Sequence, residues 1–510
     1  MRRGILFFGL IGLVCTTVPA QAGDDGFTPI FDGKSLAGWD GDPKLWRVED
    51  GTITGQTSAE DPIKVNTFLI WRQGELDDFE LKCEFRMASG DKGNSGIQYR
   101  SFEVPEAGRW VIGGYQADID ATNTYTGIMY GERYRGILAH RGQKAIVGDD
   151  HKPKPAGSFG ENDALKAAIR QNDWNEYHIV ARGYTFRHFI NGKLMSETVD
   201  EDKADRRRAG LLAFQLHVGP PMKVQFRNIR LKRLPLENGR KVVFVAGSPG
   251  EGHGENDYRA GCTLLARLLN ENVPGVLAVT YHDNWPADPT AFDNADAVVL
   301  FANGAKTNPV LVHRDRIAEL TKHGVGLACL HEALDVPKGE AGNQLLSAIG
   351  GYFETGWSVR PVWTAEFKSL PEHPITRGVK PFTVRDEWSY HMRFVDEMKG
   401  VTPILTAVPP DETRRGPDGP YTGNPHVRQR LGQSEIVAWA YDRSAAGSKG
   451  RGFGFTGGRS HQNWTNAPFR TLVLNGIVWV AGADVPANGV PSKTPTREEL
   501  EASLAAPARK

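Results

Sequence analysis

The hydrophobic pattern of this chain changes period once, and that change limits what it can fold into. From Phe27 to about Leu234 the sequence runs in short, aromatic-rich, alternating segments broken by Gly, Asp and Asn, among them "LWRVEDGTITG", "FELKCEFRMA", "SGIQYRSFEV", "GLLAFQLH" and "VQFRNIRLKRL". Alternation of this kind describes strands with one face turned to a core. "FINGKLM" places Asn191-Gly192 between two such runs, the sequence of a tight hairpin turn. Many strands and little helix over this length give an all-β sandwich or jelly roll. After the polar joint "ENGR", Glu237 to Arg240, the pattern changes. "KVVFVAG" reads as a buried strand and "NDYRAGCTLLARLLNEN" has helical spacing; "GVLAVTYHD", "DAVVLFAN", "DRIAELTKHG" and "GVGLACLH" continue the alternation. Such a series gives a largely parallel sheet covered by helices, with ligands beyond the strand C-termini. Those termini carry "GSPGEGHGEND", "YHDNW", "FANG" and "HEA", so the polar groups gather where a site is expected.

The expected organisation is a leader at 1–22, a jelly roll at 23–235, an α/β domain at 241–482 closed by the apolar helix "FRTLVLNGIVWVAG", and a flexible tail at 483–510 with one capped turn at Thr496 and Glu499. The leader reads "MRRGILFFGLIGLVCTTVPAQAG", two arginines, an apolar run and Ala20-Gln21-Ala22, the grammar of a secretory signal peptide cut before Gly23. The expected location is therefore periplasmic or extracellular. No later segment has the roughly 18 uninterrupted apolar residues of a membrane span. Lys+Arg and Asp+Glu both count 61, so no net field draws nucleic acid or an anionic surface. With Cys15 removed, Cys83, Cys262 and Cys329 remain, an odd number without metal-site spacing, and buried free thiols are expected.

In "GYQADID" the residues Gln116, Asp118 and Asp120 share one face of a strand while Tyr115, Ala117 and Ile119 share the other. A solvated edge and a carbohydrate site both fit that pattern. The opening "FTPIFDGKSLAGWDG", then "DFELKCEFRMASGDKGNSGIQYRS", "GYQADID", "TGIMYGERYRGILAHRG" and "VQFRNIRLKRL" together resemble the 3-keto-disaccharide hydrolase family over Phe27 to Leu234. The resemblance implies a concanavalin-like jelly roll outside the cytoplasm that cleaves glycosides whose sugar carries a 3-keto group. Concanavalin-like glucanases place Glu, Asp and Glu at the spacing of Gln116, Asp118 and Asp120, and the glutamine cannot serve as a carboxylate nucleophile. Neighbours on one strand face lie roughly 6.5–7 Å apart, between the about 5–5.5 Å of retaining and the about 6.5–9.5 Å of inverting glycosidases. An ordinary glycosidase on unoxidised sugars is therefore disfavoured.

A 3-keto sugar relaxes the demand, because the ketone acidifies the C2 proton. One base removes it, the enolate expels the C1 substituent, and water adds afterwards, so the site needs a base and a group for the enolate oxygen. Asp118, Asp120 and Glu132 are the candidate bases; Arg100, Arg135, His140 and His217 are the candidate stabilisers. By alternation Gln98 shares a face with Arg100 and Gln215 with His217, which makes Gln98, Gln116, Gln215 and His140 candidate substrate contacts. A cluster of Asp, Glu and His could also hold a divalent cation that polarises the ketone. The plainer alternatives are that each acid is a solvated strand residue, that Arg135 pairs with Glu132, and that Trp39, Trp46 and Trp174 belong to the core.

"KVVFVAGSPGEGHGENDYRAGCTLLARLL", "GVGLACLHEAL", "HPITRGVKPFTVRDEWSY" and "GRGFGFTGGRSHQNWTNAPFRTLVLNGIVWVAG" together resemble the trehalose-utilisation (ThuA-like) domains. That resemblance implies a flavodoxin-like fold similar to class I glutamine amidotransferases and a role in disaccharide or 3-keto-sugar metabolism. Aligned on His331, Ala328 takes the place of the amidotransferase cysteine and Cys329 points into the core, so no glutaminase activity is expected. A rim of His253, Glu255, His331, Glu332, Asp386, Glu387, His391 and His461 remains, either a sugar-processing site or a set of helix caps and loop braces. The favoured reading of the whole is an exported protein acting on an oxidised disaccharide or glycoside; the rival is a non-catalytic carbohydrate-binding jelly roll serving the α/β domain.

Overall fold

The computed structural model describes residues 25–90, 92–248 and 254–500; residues 1–22, expected to be a leader, and His253 lie outside them. Two sheets form the first half, antiparallel except where Gln143–Val147 pairs parallel to Lys193–Asp200. One has ten strands, with the Lys223–Arg233 strand between Phe79–Met87 and Thr52–Gln56. The other has seven, in the order Gly136–Ala139, Met129–Glu132, Ile112–Asp120, Asn94–Glu103, Gly210–Leu216, Thr67–Leu76 and Trp39–Asp40. Between the sheets, Phe79, Tyr99, Tyr115, Phe186, Phe214 and Phe226 form one core. Phe214 and Phe226, from different sheets, stack with centroids 3.9 Å apart. The Asn191-Gly192 turn has both residues at positive φ, 49° and 77°, as a tight hairpin of type I′ requires. Trp39 and Trp46 are buried in the core.

Phe79–Met87 alternates buried and half-buried residues, the sign of one dry face. Ile112–Asp120 is buried throughout. Its Tyr115, Ala117 and Ile119 enter the sandwich core, so the opposite row of polar residues is covered by something other than that core.

The second half is built on a seven-stranded sheet ordered Val276–Tyr281, Arg240–Ala246, Ala297–Phe301, Gly326–Leu330, Arg451–Phe455, Glu435–Asp442 and Val401–Ala407. The first five strands are parallel and the last two antiparallel. Val242 and Phe244 pack with the Tyr258–Asn272 and Ala467–Val480 helices, while Val243 and Val245 pack on the other face, so helices cover both sides as a parallel sheet requires. Cys83, Cys262 and Cys329 are free and buried. Cys329 lies in the opposite core from Ala328, as alternation dictates. No helix among the described residues is long and apolar enough to cross a membrane.

The tail departs from expectation. Val485, Val490 and Leu500 are buried in the α/β core, and Arg377 and Asn475 hydrogen-bond to the backbone at Val485 and Val490. Apolar residues spaced between its prolines give the segment a packing surface that its Pro- and Ser-rich composition hides. The capping pair is formed: Thr496 N–H donates to Glu499 and Glu499 N–H to the Thr496 hydroxyl.

The halves are joined by buried charge. Asp77 of the sandwich receives Lys241 Nζ at 2.6 Å and the amide of Asn294 at 2.9 Å, and Arg233 reaches Asp288 at 2.8 Å. Burial pushes the Asp77 carboxyl up, but Lys241 and Arg233 outweigh it and hold it at about 2.

Candidate active sites

The polar row of Ile112–Asp120 opens into a cavity of about 570 Å³ lined by Asn66, Asn94, Gln116, Asp118, Tyr125, Tyr130, Glu132, Arg133 and His217. The register explains the gathering. Gln98 lies opposite Gln116, Gly96 opposite Asp118, and Gly114 opposite Glu132, so one sheet face carries all the acids and amides. Gly96 is needed there: a Cβ at this position would sit 2.5 Å from Gln116 Cδ, which lies across it.

Asp118 is 5% exposed and accepts from Asn94 Nδ2 at 3.1 Å and Gln116 Nε2 at 3.3 Å. Burial, with the nearby Asp120 and Glu132 carboxylates adding to it, raises its carboxyl to about 7 against those two hydrogen bonds. Glu132 accepts from Asn66 Nδ2 at 3.0 Å and Gln215 Nε2 at 3.2 Å. Gln98 donates to Gln116 Oε1 at 2.6 Å, which turns the Gln116 amide nitrogen toward Asp118. A base shifted toward neutrality thus sits among amides, with His217, Arg133 and the 49% exposed Tyr125 at the rim.

Gln98 and Gln215, expected as substrate contacts, are fully buried behind the lining and brace Gln116 and Glu132 instead, and four more expected members lie elsewhere. Arg100 is at φ 46°, where the pairing of its strand slips between Tyr99 and Phe102. The bulge breaks the alternation with Gln98, and the guanidinium is buried against Asp78 at 2.8 Å and the carbonyls of Asp77 and Gly183. Arg135 pairs with Asp200 and Asp202 rather than with Glu132. Asp120 closes the following turn, accepting from Thr122, Tyr125 N–H and Thr126 N–H. His140 is exposed and outside the cavity lining. The cavity cation is Arg133, two residues from Arg135 in "GERYRG", redirected by a φ of 47° just past the strand end. Asn94 shares the alternation of Gln98 and was legible; Asn66 comes from a distant loop and was not.

In the α/β domain the C-terminal end of Gly326–Leu330 carries His331 at φ 55°, a left-handed conformation that aims its side chain above the sheet. The strained turn position of a nucleophile elbow is thus held by His331, and Ala328, the expected counterpart, lies within the strand. His331 Nδ1 is 3.1 Å from the Thr456 carbonyl, which can only accept, so Nδ1 carries the hydrogen. Nε2 also faces acceptors, Asn256 Oδ1 at 3.0 Å and a Glu387 carboxylate oxygen at 3.8 Å. Glu332 receives Arg360 at 2.5 Å and the Tyr258 hydroxyl at 2.5 Å; Glu387 receives Arg360 at 3.3 Å and Arg459 at 2.9 Å. Burial raises both carboxyls; for Glu332 the His331 and Arg360 charges with the Tyr258 hydrogen bond reverse the effect, while Glu387 stays raised.

The rest of the expected rim is divided. Asp386 braces the neighbouring loop by accepting from Gly458 N–H and Ser460 N–H. Glu255, exposed, holds the other side of Arg459 at 2.8 Å. His391 stacks on Trp357 at 4.6 Å near Glu435, and its burial lowers it to about 4. His461 is buried, likewise lowered to about 4, and donates its backbone N–H to Gly254. Arg360 and Arg459 are members that acid-and-histidine reasoning missed.

Among the described residues two clusters bring three His, Asp or Glu ligand atoms within 4.8 Å of one another, His151–Asp202–Asp205 and His331–Glu332–Glu387. Asp118 and Glu132 belong to neither.

Residues 26–232 match the family model described as 3-keto-alpha-glucoside-1,2-lyase-like domain, and residues 241–480 match the trehalose utilisation model. A relative named 3-keto-disaccharide hydrolase, from Bacteroides thetaiotaomicron, is 27% identical over 251 residues, covering 41% of this chain and 79% of its own. Among solved structures, a putative glycosyl hydrolase from Parabacteroides distasonis aligns at 21% identity and TM-score 0.28, over 41% of this chain and 94% of its own. A putative ThuA-like protein from Bacteroides uniformis aligns at 14% identity and TM-score 0.35, over 48% and 91%. The chain therefore matches two family models in succession, the 3-keto-alpha-glucoside-1,2-lyase-like one over its sandwich and the trehalose utilisation one over its α/β domain.

Proposed function

We propose that the sandwich cleaves 3-keto-glycosides or 3-keto-disaccharides by elimination followed by hydration. The observation that carries this reading is Asp118, a buried carboxyl near neutrality at the wall of a sugar-sized cavity. A base must be ionised to accept a proton yet weakly acidic enough to return it, and an operating value near 7 serves both needs. In this scheme Asp118 takes the C2 proton, the C2–H pair becomes the enolate double bond, and the ketone oxygen takes the negative charge beside Arg133 or His217. The enolate then forms C1=C2 as the C1–O bond breaks, and the leaving oxygen is protonated. Water adds at C1 and a proton returns to C2, so the sum is hydrolysis. Glu132, held by two amide donors, is placed to guide that water. The reading includes export by the leader, which N-terminal sequencing of the mature protein checks by finding Gly23 first.

The test compares full-length protein with Asp118→Asn on a 3-keto-glucoside. Loss of about 10²-fold or more in aglycone release, with the circular dichroism unchanged, is the expected result for removal of a general base. Undiminished release would remove Asp118 from the chemistry. Binding of the glycoside without any turnover by the wild type would favour the binding-module alternative, for which the exposed Tyr125 at the rim offers a stacking surface.

A further inference from the structure

We propose that Ser101, Gln98 and Gln116 form a hydrogen-bond relay whose direction reverses with the protonation of Asp118, so that Gln98 and Ser101, both outside the cavity lining, are positioning residues of the sandwich site. This rests on the reading of Asp118 as the base, and it gives that buried base a partner in both of the states its reaction passes through.

The relay crosses two paired strands. Ser101 Oγ lies 2.8 Å from Gln98 Oε1, Gln98 Nε2 lies 2.6 Å from Gln116 Oε1, and Gln116 Nε2 lies 3.3 Å from Asp118 Oδ2. Ser101, Gln98 and Gln116 are at most 1% exposed, so a hydrogen bond lost among them is not remade by bulk water. An ionised carboxylate only accepts, and this sets one direction: each amide turns its nitrogen toward Asp118, and the serine hydroxyl donates at the far end. A protonated Asp118 can donate instead. Its O–H then meets Gln116 Oε1 once that amide turns over, Gln116 Nε2 meets Gln98 Oε1, and Gln98 Nε2 meets Ser101 Oγ. The serine hydrogen passes to the Tyr99 carbonyl, 3.3 Å from Oγ. Ser101 ends the relay in both directions because a hydroxyl both donates and accepts and here has two acceptors in reach. Asn94 Nδ2, 3.1 Å from Asp118 Oδ1, remains a donor throughout.

Glycine leaves room for the turn-over at both ends. A Cβ on Gly96 would lie 2.5 Å from Gln116 Cδ, and one on Gly114 would lie 2.6 Å from Ser101 Oγ. The charged and titratable groups around Asp118 are Asp120 on its own strand, Glu132 and Tyr130 on the next, Arg133 and His217 on the cavity lining, and Tyr177 of the facing sheet. None of them belongs to the relay, so Gln98 can be exchanged for another neutral residue without altering that charge. Base work needs Asp118 ionised before the C2 proton leaves and protonated after it. Burial raises this carboxyl to about 7, so both states are populated near neutrality, and the relay satisfies each.

The experiment follows the infrared band of the buried protonated carboxyl through a pH titration of the full-length protein without substrate, the band being assigned by its loss in Asp118→Asn. Because no sugar is present, the result does not depend on whether the sandwich cleaves glycosides. Gln98→Met removes the donor to Gln116 Oε1 and adds no charge, so that oxygen keeps a partner only by turning to the Asp118 proton. The Asp118 midpoint is expected to rise by about half a pH unit or more, the size that one amide hydrogen bond supports. Glutamine labelled with 13C at its side-chain carbonyl gives a second reading on the wild type, which keeps the test valid if Gln98→Met fails to fold. The labelled bands should change with the same midpoint as the Asp118 carboxyl, and that change should be missing from Asp118→Asn. A folded Gln98→Met with an unmoved or lowered midpoint, or labelled bands that stay constant through the Asp118 titration, would overturn the proposal.

Discussion

Asp118 and Glu132 stand on one sheet face in different surroundings. Asp118 is pushed up to about 7, chiefly by burial. A base with that value is ionised only above it, so kcat/KM for a 3-keto-glucoside should rise with pH through about 7 and then level. A profile already flat from pH 5 would contradict the assignment. For stability the sign is opposite: a carboxyl with a raised folded value favours folding when protonated, and ionising it between the ordinary 3.8 and about 7 removes that contribution. Asp118→Asn should therefore leave the melting temperature at pH 8 unchanged or higher while activity falls. Gln116 and Asp118 were readable from the period of two alone, whereas Asp120 on the same face closes a turn and Asn66 arrives from a distant loop. The roles of Arg100 and Arg135 were not, because a bulge at φ 46° and the pairing with Asp200 and Asp202 depend on partners far along the chain.

The Asn94–Glu103 and Ile112–Asp120 strands together form the floor of the cavity, and Gly96 sets how closely their side chains interlock. A methyl at this position would meet the movable end of Gln116 rather than backbone. Gly96→Ala should therefore fold, at a cost of about 1–3 kcal/mol, yet displace the amide that donates to Asp118. A several-fold loss in kcat with an altered pH midpoint is expected, checked by the pH profile of the variant beside its denaturation curve. Loss of folding would show that Gln116 cannot move. Elements of this kind were legible in the sequence because their faces alternate, and the Asn191-Gly192 hairpin was legible from its turn residues. The α/β elbow was not: aligning "GLACLH" by motif puts Ala328 at the turn, while the backbone turns at His331. A positive φ leaves no mark in side-chain periodicity.

Across the whole molecule the two domains are held by a dry ionic network rather than by a free linker. Asp77, Lys241, Arg233 and Asp288 are all almost fully buried, and removal of one partner leaves charge without compensation. Asp77→Ala should cost about 3–5 kcal/mol, read as a lowered denaturation midpoint. Since Asp77 sits at about 2 against an ordinary 3.8, its contribution is complete above pH 4 and decays as pH falls toward 2. A midpoint within experimental error of wild type at pH 7 would show that the network adds nothing. The coupling makes the full chain the unit of study. The change of hydrophobic period at Glu237 to Arg240 marked the two architectures, but no feature of the sequence paired Asp77 with Lys241, 164 positions later.

The measurement that bears most directly on the central claim is aglycone release by the full-length protein from a 3-keto-glucoside and from its unoxidised parent, side by side. Elimination through the C2 proton requires the ketone, so turnover of the keto substrate alone is predicted. Comparable turnover of the parent, or of neither, would contradict it.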